Sequence, residues 1–263
     1  ECVGELPPLG SEVEGVVDAE RRLALMRHHT ATHIVLGALR RVLGKHVWQA
    51  GAQKTPEYVR FDFTHHKPIT PEQAREIELL ANRVVMENRR VRKALLGRTE
   101  AEQRYGFTLY QGGAVPKPVL RVVEIEGWDA EACGGTHCDF TGEVGFIKIL
   151  GFDRIQDGVV RVTFCAGEAA LKRVRETEET LRDICKELEV PCEKSVARVR
   201  ELKERLERLE KEVKRLREEI ARGGLPRREF TVRTPTRSVN VIVIDAGDVP
   251  PREAATSAGR AAP

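Results

Sequence analysis

Two short segments about a hundred residues apart constrain this chain more than anything else in it: "RHHTATH" ending at His33 and "CGGTH" starting at Cys133. The chain has only 6 cysteines and 7 histidines, and the densest groupings of both fall in these segments. His29 and His33 are spaced i, i+4, which on a helix stacks both imidazoles on one face. Cys133 and His137 repeat that separation, with Gly134 and Gly135 between them to permit tight backbone geometry. Three imidazoles and one thiolate are a donor set that suits tetrahedral zinc. Any fold that joins the halves must bring an early helix back beside a glycine-flanked loop past the midpoint of the chain. Neighbouring His28 points about a hundred degrees away on the helix and reads as a surface residue. Cys138 reads as a packing cysteine, and Cys2, Cys165, Cys185 and Cys192 stand singly.

With 263 residues, 41% apolar and 32% charged, the chain is expected to fold as one large or two modest globular domains with an unusually charged part. No apolar run approaches the ~20 residues needed to cross a bilayer, and nothing at the start reads as a signal. The expected location is the cytoplasm, where a short-spaced cysteine and histidine group favours metal over disulfides. A formal charge of +3 permits a nucleic-acid partner without arguing for one.

Along the chain, "SEVEGVVDAE" alternates as one short strand would, so residues 1–22 read as the remnant of a β-barrel-like segment. From Leu23 the spacing of Leu25, His29, Leu36, Leu39 and Leu43 predicts a helix closed by Gly44. "YVRFDFT" predicts a strand, and "TPEQAREIELLANRVVMENRR" a second helix capped by Thr70 with Pro71 in its first turn. Further strands are expected at "RKALLG", "VLRVVEI", "GEVGFIKILGFDRI" and "VVRVTFCAG". The layout through 167 is α+β, with helices against a mainly antiparallel sheet. Residues 168–222 then carry two apolar stripes. The second, from Leu202, steps 4, 3, 4, 3, 4 to Ile220, a heptad seam set among charged residues. "EVPCE" between the stripes predicts a short loop and an antiparallel helical hairpin, and the seam allows a homodimer contact. "VNVIVIDAGD" reads as a buried strand opening a further, truncated domain over 223–263. The run Arg89, Arg90, Arg92 and Lys93, joined by Arg40, Arg41 and Lys45, is a candidate for phosphate contact.

"RHHTATHIVLGALRRVLG", "VWQAG", "RFDF", "CGGTHC" and "GVVRVTFCAG", in that order, resemble the editing domain of alanyl-tRNA synthetase and its free-standing AlaX-type relatives, over about residues 10–168. "RIQDGVVRVTF" is similar to the archaeal form, and the charged hairpin to the linker before that enzyme's C-terminal domain. The resemblance implies hydrolysis of the ester joining serine or glycine to the 3′ end of alanine tRNA. It also implies zinc at His29, His33, Cys133 and His137. Thr32 would read the serine hydroxyl, Gln49 would line the pocket, and Asp62 and Arg161 would be polar positions around it. No aminoacylation domain is recognised, so the expected protein is either a piece of a synthetase, dimerising through the hairpin or a missing C-terminal domain, or a separate trans-editor. Two rivals stand beside this reading. One is the related editing domain of threonyl-tRNA synthetase, which acts on mischarged serine. The other is a zinc-stapled tRNA-binding module without catalysis.

Overall fold

The computed structural model describes residues 4, 6–111, 113, 117–222, 227–235 and 237–244. It divides into two compact units, Glu1–Glu178 and Glu179–Pro263.

In the first unit, helix α1 (Ala19–Leu43) opens on Asp18, whose side chain accepts the Arg21 N–H, and ends at Gly44, where φ is 116°. That start lies a turn earlier than the apolar spacing predicts, because the cap, not the first leucine, sets it. The strand expected in 11–20 is not formed. Val13, Val16 and Val17 are exposed, and among the described residues no strand lies beside them to satisfy an isolated edge.

A four-stranded antiparallel sheet runs in the order β1–β2–β7–β6, from β1 (Gln49–Lys54), β2 (Val59–Thr64), β6 (Ile147–Gln156) and β7 (Val159–Ala166). A second sheet pairs β3 (Val91–Gly97), β4 (Val119–Ile125) and β5 (Asp129–Ala132) in order, again antiparallel. Helix α2 (Pro71–Met86) begins with a reciprocal capping box between Thr70 and Gln73. A short helix α3 (Arg98–Tyr105) was not anticipated by the spacing, nor were β1 and β5.

Helix α1 packs against both sheets and against α2. Its buried face, from Ala31 through Leu39, meets Phe61, Phe63, Val162 and Phe164 from the first sheet and Val123 and Ile125 from the second. The long buried stretch of α1 is therefore the axle of the unit. The turn after β4 drives Trp128 onto it: the indole Nε1 donates to Ile34 O at 3.1 Å, and the Arg41 guanidinium lies 3.6 Å from the ring centroid. Only glycine fits beneath that ring, since a Cβ at Gly37 would sit 2.3 Å from Trp128 Nε1.

Helix α4 (Glu168–Glu187) leads through a 3-10 turn at Cys192–Lys194 to α5 (Ser195–Arg222), so the two apolar stripes are helices joined by a short connection as expected. The seam of α5 is open in the single chain, with Leu206 at 57% and Leu209 at 47% exposure. In the second unit β8 (Arg227–Arg233) and β9 (Ser238–Ile244) form an antiparallel pair. The buried strand expected at "VNVIVIDAGD" is instead an exposed one. Val239 and Val243 lie open because, among the described residues, β9 has only β8 beside it. The rest of that segment, and Cys2, lie outside the described residues.

Replacing Gly37 with alanine should lower unfolding stability by about 1–3 kcal/mol, because the close-packed indole must shift to admit a methyl group. Gly97→Ala, where nothing lies within 4 Å of the added Cβ, should change it by less than about 0.5 kcal/mol. Denaturant unfolding of both variants measures the difference.

Candidate metal centre

The two half-sites meet. Helix α1 points His29 and His33 from successive turns of one face toward the loop that follows β5, where Cys133 and His137 lie. Cys133 Sγ is 3.3 Å from His29 Nε2 and 3.4 Å from His137 Nε2. One ligand atom from each of the four residues lies within 4.8 Å of every other. With Zn–S about 2.3 Å and Zn–N about 2.0–2.1 Å, the S···N edge of a tetrahedron is about 3.6 Å, so the cluster is near ligand spacing. The histidine rings crowd, with centroids 4.0 Å apart for His29–His137 and 4.6 Å for His33–His137.

The loop is built to bring its backbone in. Arg121 on β4 donates from one guanidinium nitrogen to Cys133 O at 2.6 Å and Gly135 O at 2.9 Å. A Cβ at Gly135 would stand 2.2 Å from the His29 ring, so that glycine is required by close approach, whereas Gly134 faces open space. Thr30 steers His137. With Nε2 turned to the sulfur, Nδ1 bears the proton and donates to Thr30 Oγ1 at 3.2 Å, and the same oxygen accepts the Cys138 N–H at 3.1 Å.

Among the described residues, His33, 2% exposed, has no hydrogen bond on either ring nitrogen. Its Nδ1 lies 3.5 Å from Glu131 Oε2, an ion-pair distance without hydrogen-bond geometry. A buried imidazole with two orphaned nitrogens has a surplus of ligating capacity, which a metal ion on Nε2 and a carboxylate on Nδ1 would satisfy. Behind it, Arg40 bridges Asp129 at 3.0 Å and Glu131 at 3.5 Å. Burial pushes the Glu131 carboxyl well up, helped by neighbouring Asp129 and opposed by Arg40.

Burial also keeps the imidazoles neutral. His29 is lowered to about 4, first by desolvation and then by Lys54, and His137 to about 2 by desolvation and then His29. His33 is lowered strongly for the same first reason. The Cys133 thiol is pushed up by burial. The set presented at neutral pH is three lone-pair nitrogens and one protonated sulfur.

The remaining sequence-named residues fall differently. Thr32 is buried on α1 and its hydroxyl donates to His28 O at 2.8 Å. Gln49 opens β1 and is half-buried. Asp62 and Arg161 face each other across β2 and β7 in a two-pronged ion pair at 2.7 and 2.9 Å, on the opposite sheet face from core residues Phe61 and Phe63. His28 is corrected from surface to core: it is fully buried, donating from Nδ1 to Thr55 O at 2.6 Å and accepting the Ala166 N–H on Nε2 at 3.1 Å. Cys138 is buried in the core as expected. Much of the basic run is engaged within the chain. Arg89 pairs with Glu87, Arg92 with Glu126 and Lys93 with Asp139. Glu131, Arg121, Thr30 and Lys54 were not singled out by sequence. The one available signal was "DAEAC", whose alternation puts Asp129, Glu131 and Cys133 on one side of a strand.

Because the imidazoles are neutral and the thiol is not ionised, binding a divalent ion at pH 7 should release a proton from Cys133. Calorimetric zinc titrations in buffers of different ionisation enthalpy should show proton release falling by about one per ion in Cys133→Ser.

Residues 120–163 match the family described as the threonyl and alanyl tRNA synthetase second additional domain. An alanine–tRNA ligase of Thermofilum pendens is 64% identical over 260 residues, which is 99% of this chain and 28% of that protein. One from Methanopyrus kandleri is 56% identical over 222 residues, 84% of this chain and 24% of that protein. One from Pyrococcus abyssi is 56% identical over 211 residues, 80% and 22% respectively. The chain spans about a quarter of the length of these curated relatives. It is thus related, along nearly its whole length, to a segment of the alanine–tRNA ligases, and it carries at its centre the second additional domain shared by the threonyl and alanyl synthetases.

Proposed function

We propose that this chain hydrolyses the ester of alanine tRNA wrongly charged with serine or glycine, with zinc held by His29, His33, Cys133 and His137. The observation that carries the reading is the convergence of those four donors, from segments about a hundred residues apart, within 4.8 Å. Relatedness to alanine–tRNA ligases supports alanine tRNA as the substrate class. An alanine-activating site rejects glycine weakly, since a missing methyl is worth only about 1–3 kcal/mol, and it rejects a small added hydroxyl poorly. A second, hydrolytic pocket is the remedy for both errors.

Zinc at these donors would supply Lewis acidity, polarising the aminoacyl group or a water. The chain's own residues do the rest. Thr30 orients the His137 ring from behind through a hydrogen bond, and Glu131, 3.5 Å from His33 Nδ1, stands where a small shift would let it accept from that nitrogen. Thr32 sits one residue before His33 on the buried side of α1. Its hydroxyl hydrogen is engaged with His28 O, leaving oxygen lone pairs to accept from a serine side chain, a contact alanine cannot return. Gln49 presents an amide from the start of β1. The Asp62–Arg161 pair locks β2 to β7, and Asp62 registers with Gly51 two residues beyond Gln49, so the pair acts by positioning β1. Half-buried Lys54, at the other end of β1, places positive charge near Cys133 and Glu131, a suitable field for the carbonyl oxygen as it gains negative charge.

The tRNA and the cytoplasmic setting belong to the same proposal; no helix among the described residues is long and apolar enough to cross a membrane. We infer likewise that α4 and α5 belong to a coiled-coil-like hairpin and that its open leucine seam is the contact for a homodimer. The exposure of Leu202, Leu206, Leu209, Val213 and Leu216 supports this.

Purified chain should deacylate Ser-tRNA(Ala) and Gly-tRNA(Ala) while leaving Ala-tRNA(Ala) largely intact. His33→Ala should reduce the rate by on the order of 100-fold or more with the fold retained by circular dichroism. Thr32→Val should affect the serine substrate more than the glycine one. Preference for Ser-tRNA(Thr) would move the assignment to the threonine system. Binding of uncharged tRNA without deacylation of any substrate would leave a zinc-stapled binding module.

A further inference from the structure

A second group of histidines lies away from the quartet and has no part in the proposed chemistry. His46 sits in the turn between α1 and β1, and His65 and His66 follow β2 directly. One ring nitrogen from each lies within 4.8 Å of the other two. Their ring centroids form a near-equilateral triangle, 5.1, 5.5 and 5.2 Å on its sides. His46 Nε2 and His65 Nδ1 are 2.8 Å apart.

The backbone under this triangle is fixed. Thr64 bonds the neighbouring turn three times: its N–H donates to Trp48 O, its hydroxyl donates to His46 O, and Oγ1 accepts the Trp48 N–H, at 2.6–2.9 Å. The His65 N–H donates to Gly158 O at 2.9 Å. His65 is buried while His46 and His66 are exposed, so one donor is anchored and two remain reachable from solvent. His66 also lines a small cavity of about 110 Å³ together with His65 and the carboxylate-bearing Asp153.

One hydrogen bond between His46 and His65 accounts for two of the rings and leaves the third unexplained. With Zn–N of about 2.0–2.1 Å, nitrogens at adjacent corners of a tetrahedron stand about 3.3 Å apart, so opening the 2.8 Å pair by a few tenths of an ångström would admit an ion that all three can reach. Burial and the neighbouring His46, His66 and Lys67 lower the His65 pKa, which keeps a lone pair available at neutral pH. We propose that His46, His65 and His66 form a second site, for a borderline divalent transition-metal ion of the zinc, nickel or copper type, with water completing the shell. Such an ion would tie the turn that leads into Gln49 to the end of β2. This site does not depend on the first being a catalyst or on its being filled.

The test uses the whole metal-stripped chain. Equilibrium dialysis against Zn2+, with bound metal counted by mass spectrometry, should give one ion fewer per chain in His66→Ala and in His66→Asn than in the parent. Cys133→Ser should leave the His66-dependent ion in place. Co2+ titration checks the fold, because Cys133 is the one thiol in the two sites and its thiolate charge-transfer band, identified by its loss in Cys133→Ser, should persist in both His66 variants. With Cu2+ added to Cys133→Ser, electron paramagnetic resonance should show nitrogen hyperfine structure that His66→Ala diminishes. Equal metal content and affinity in the parent and both His66 variants would overturn the proposal, as would loss of metal only in Cys133→Ser.

Discussion

The structure turns on packing three imidazoles and a thiol against each other, with His33 and His137 buried and His29 and Cys133 half-buried. Neutral histidines in such a space repel protons, because a cation there would be poorly solvated and would face Lys54, Arg121 and its own neighbours. Yet among the described residues neither ring nitrogen of His33 has a hydrogen-bond partner. A fold built only for stability would replace such a group with apolar side chains. The donor set suits a cation, whose charge would reverse the local preference and let Cys133 ionise.

That requirement propagates outward. The half-sites come from a helix and from a loop of the second sheet, so α1 must contact both sheets at once, and its long buried stretch follows from that double role. Close approach then fixes small residues at defined points. Gly37 admits Trp128 against α1, and Gly135 admits the His29 ring against the loop backbone. Arg121 gathers two carbonyls of that loop, and Arg40 shares its charge between Asp129 and Glu131 behind His33. Each buried charge thus has an opposite or a hydrogen-bonding partner, which limits the cost of placing polar groups beside a hydrophobic core.

The quartet was legible in the sequence because its signal is local twice over: two donors four residues apart, then two more four residues apart, each in a distinctive setting. The helices α1, α2, α4 and α5 and the strands β2, β3, β4, β6 and β7 were legible from periodicity. Strand β1 was not, since "QAGAQK" has neither alternation nor branched residues, and it is a strand only because β2 holds it. Glu131 and Arg121 escaped notice because a carboxylate and a guanidinium are ordinary on a strand, and their importance comes from facing His33 and the 133–135 loop across the fold. His28 was misread for a related reason. Helical phase correctly turns it away from His29, but phase alone does not reveal that β7 and the turn after β1 cover that side as well. The opening strand failed for want of a neighbour, a property no alternation pattern records.

The charge pattern shows how far composition misleads when pairing is unknown. In the sequence, Arg89, Arg90, Arg92 and Lys93 read as a patch of four adjacent cations. In the fold, Arg92 and Lys93 sit on β3, and Arg89, Arg92 and Lys93 are each bound to a carboxylate, with Lys93 also donating to Cys138 O beside the metal loop. Arg40 is spent on two buried acids and Arg41 on the Trp128 ring. A cation already neutralised at short range adds little to the field at a distance, and binding a phosphate would first require breaking its existing pair. The net attraction available to a polyanion from this surface is therefore much smaller than the count of basic residues implies. Exposed Arg90 and Lys45 keep more of their charge for solvent than their neighbours do. Binding of a nucleic acid at this face would have to draw on shape and on the site itself more than on a basic stripe, with a correspondingly shallow dependence on salt.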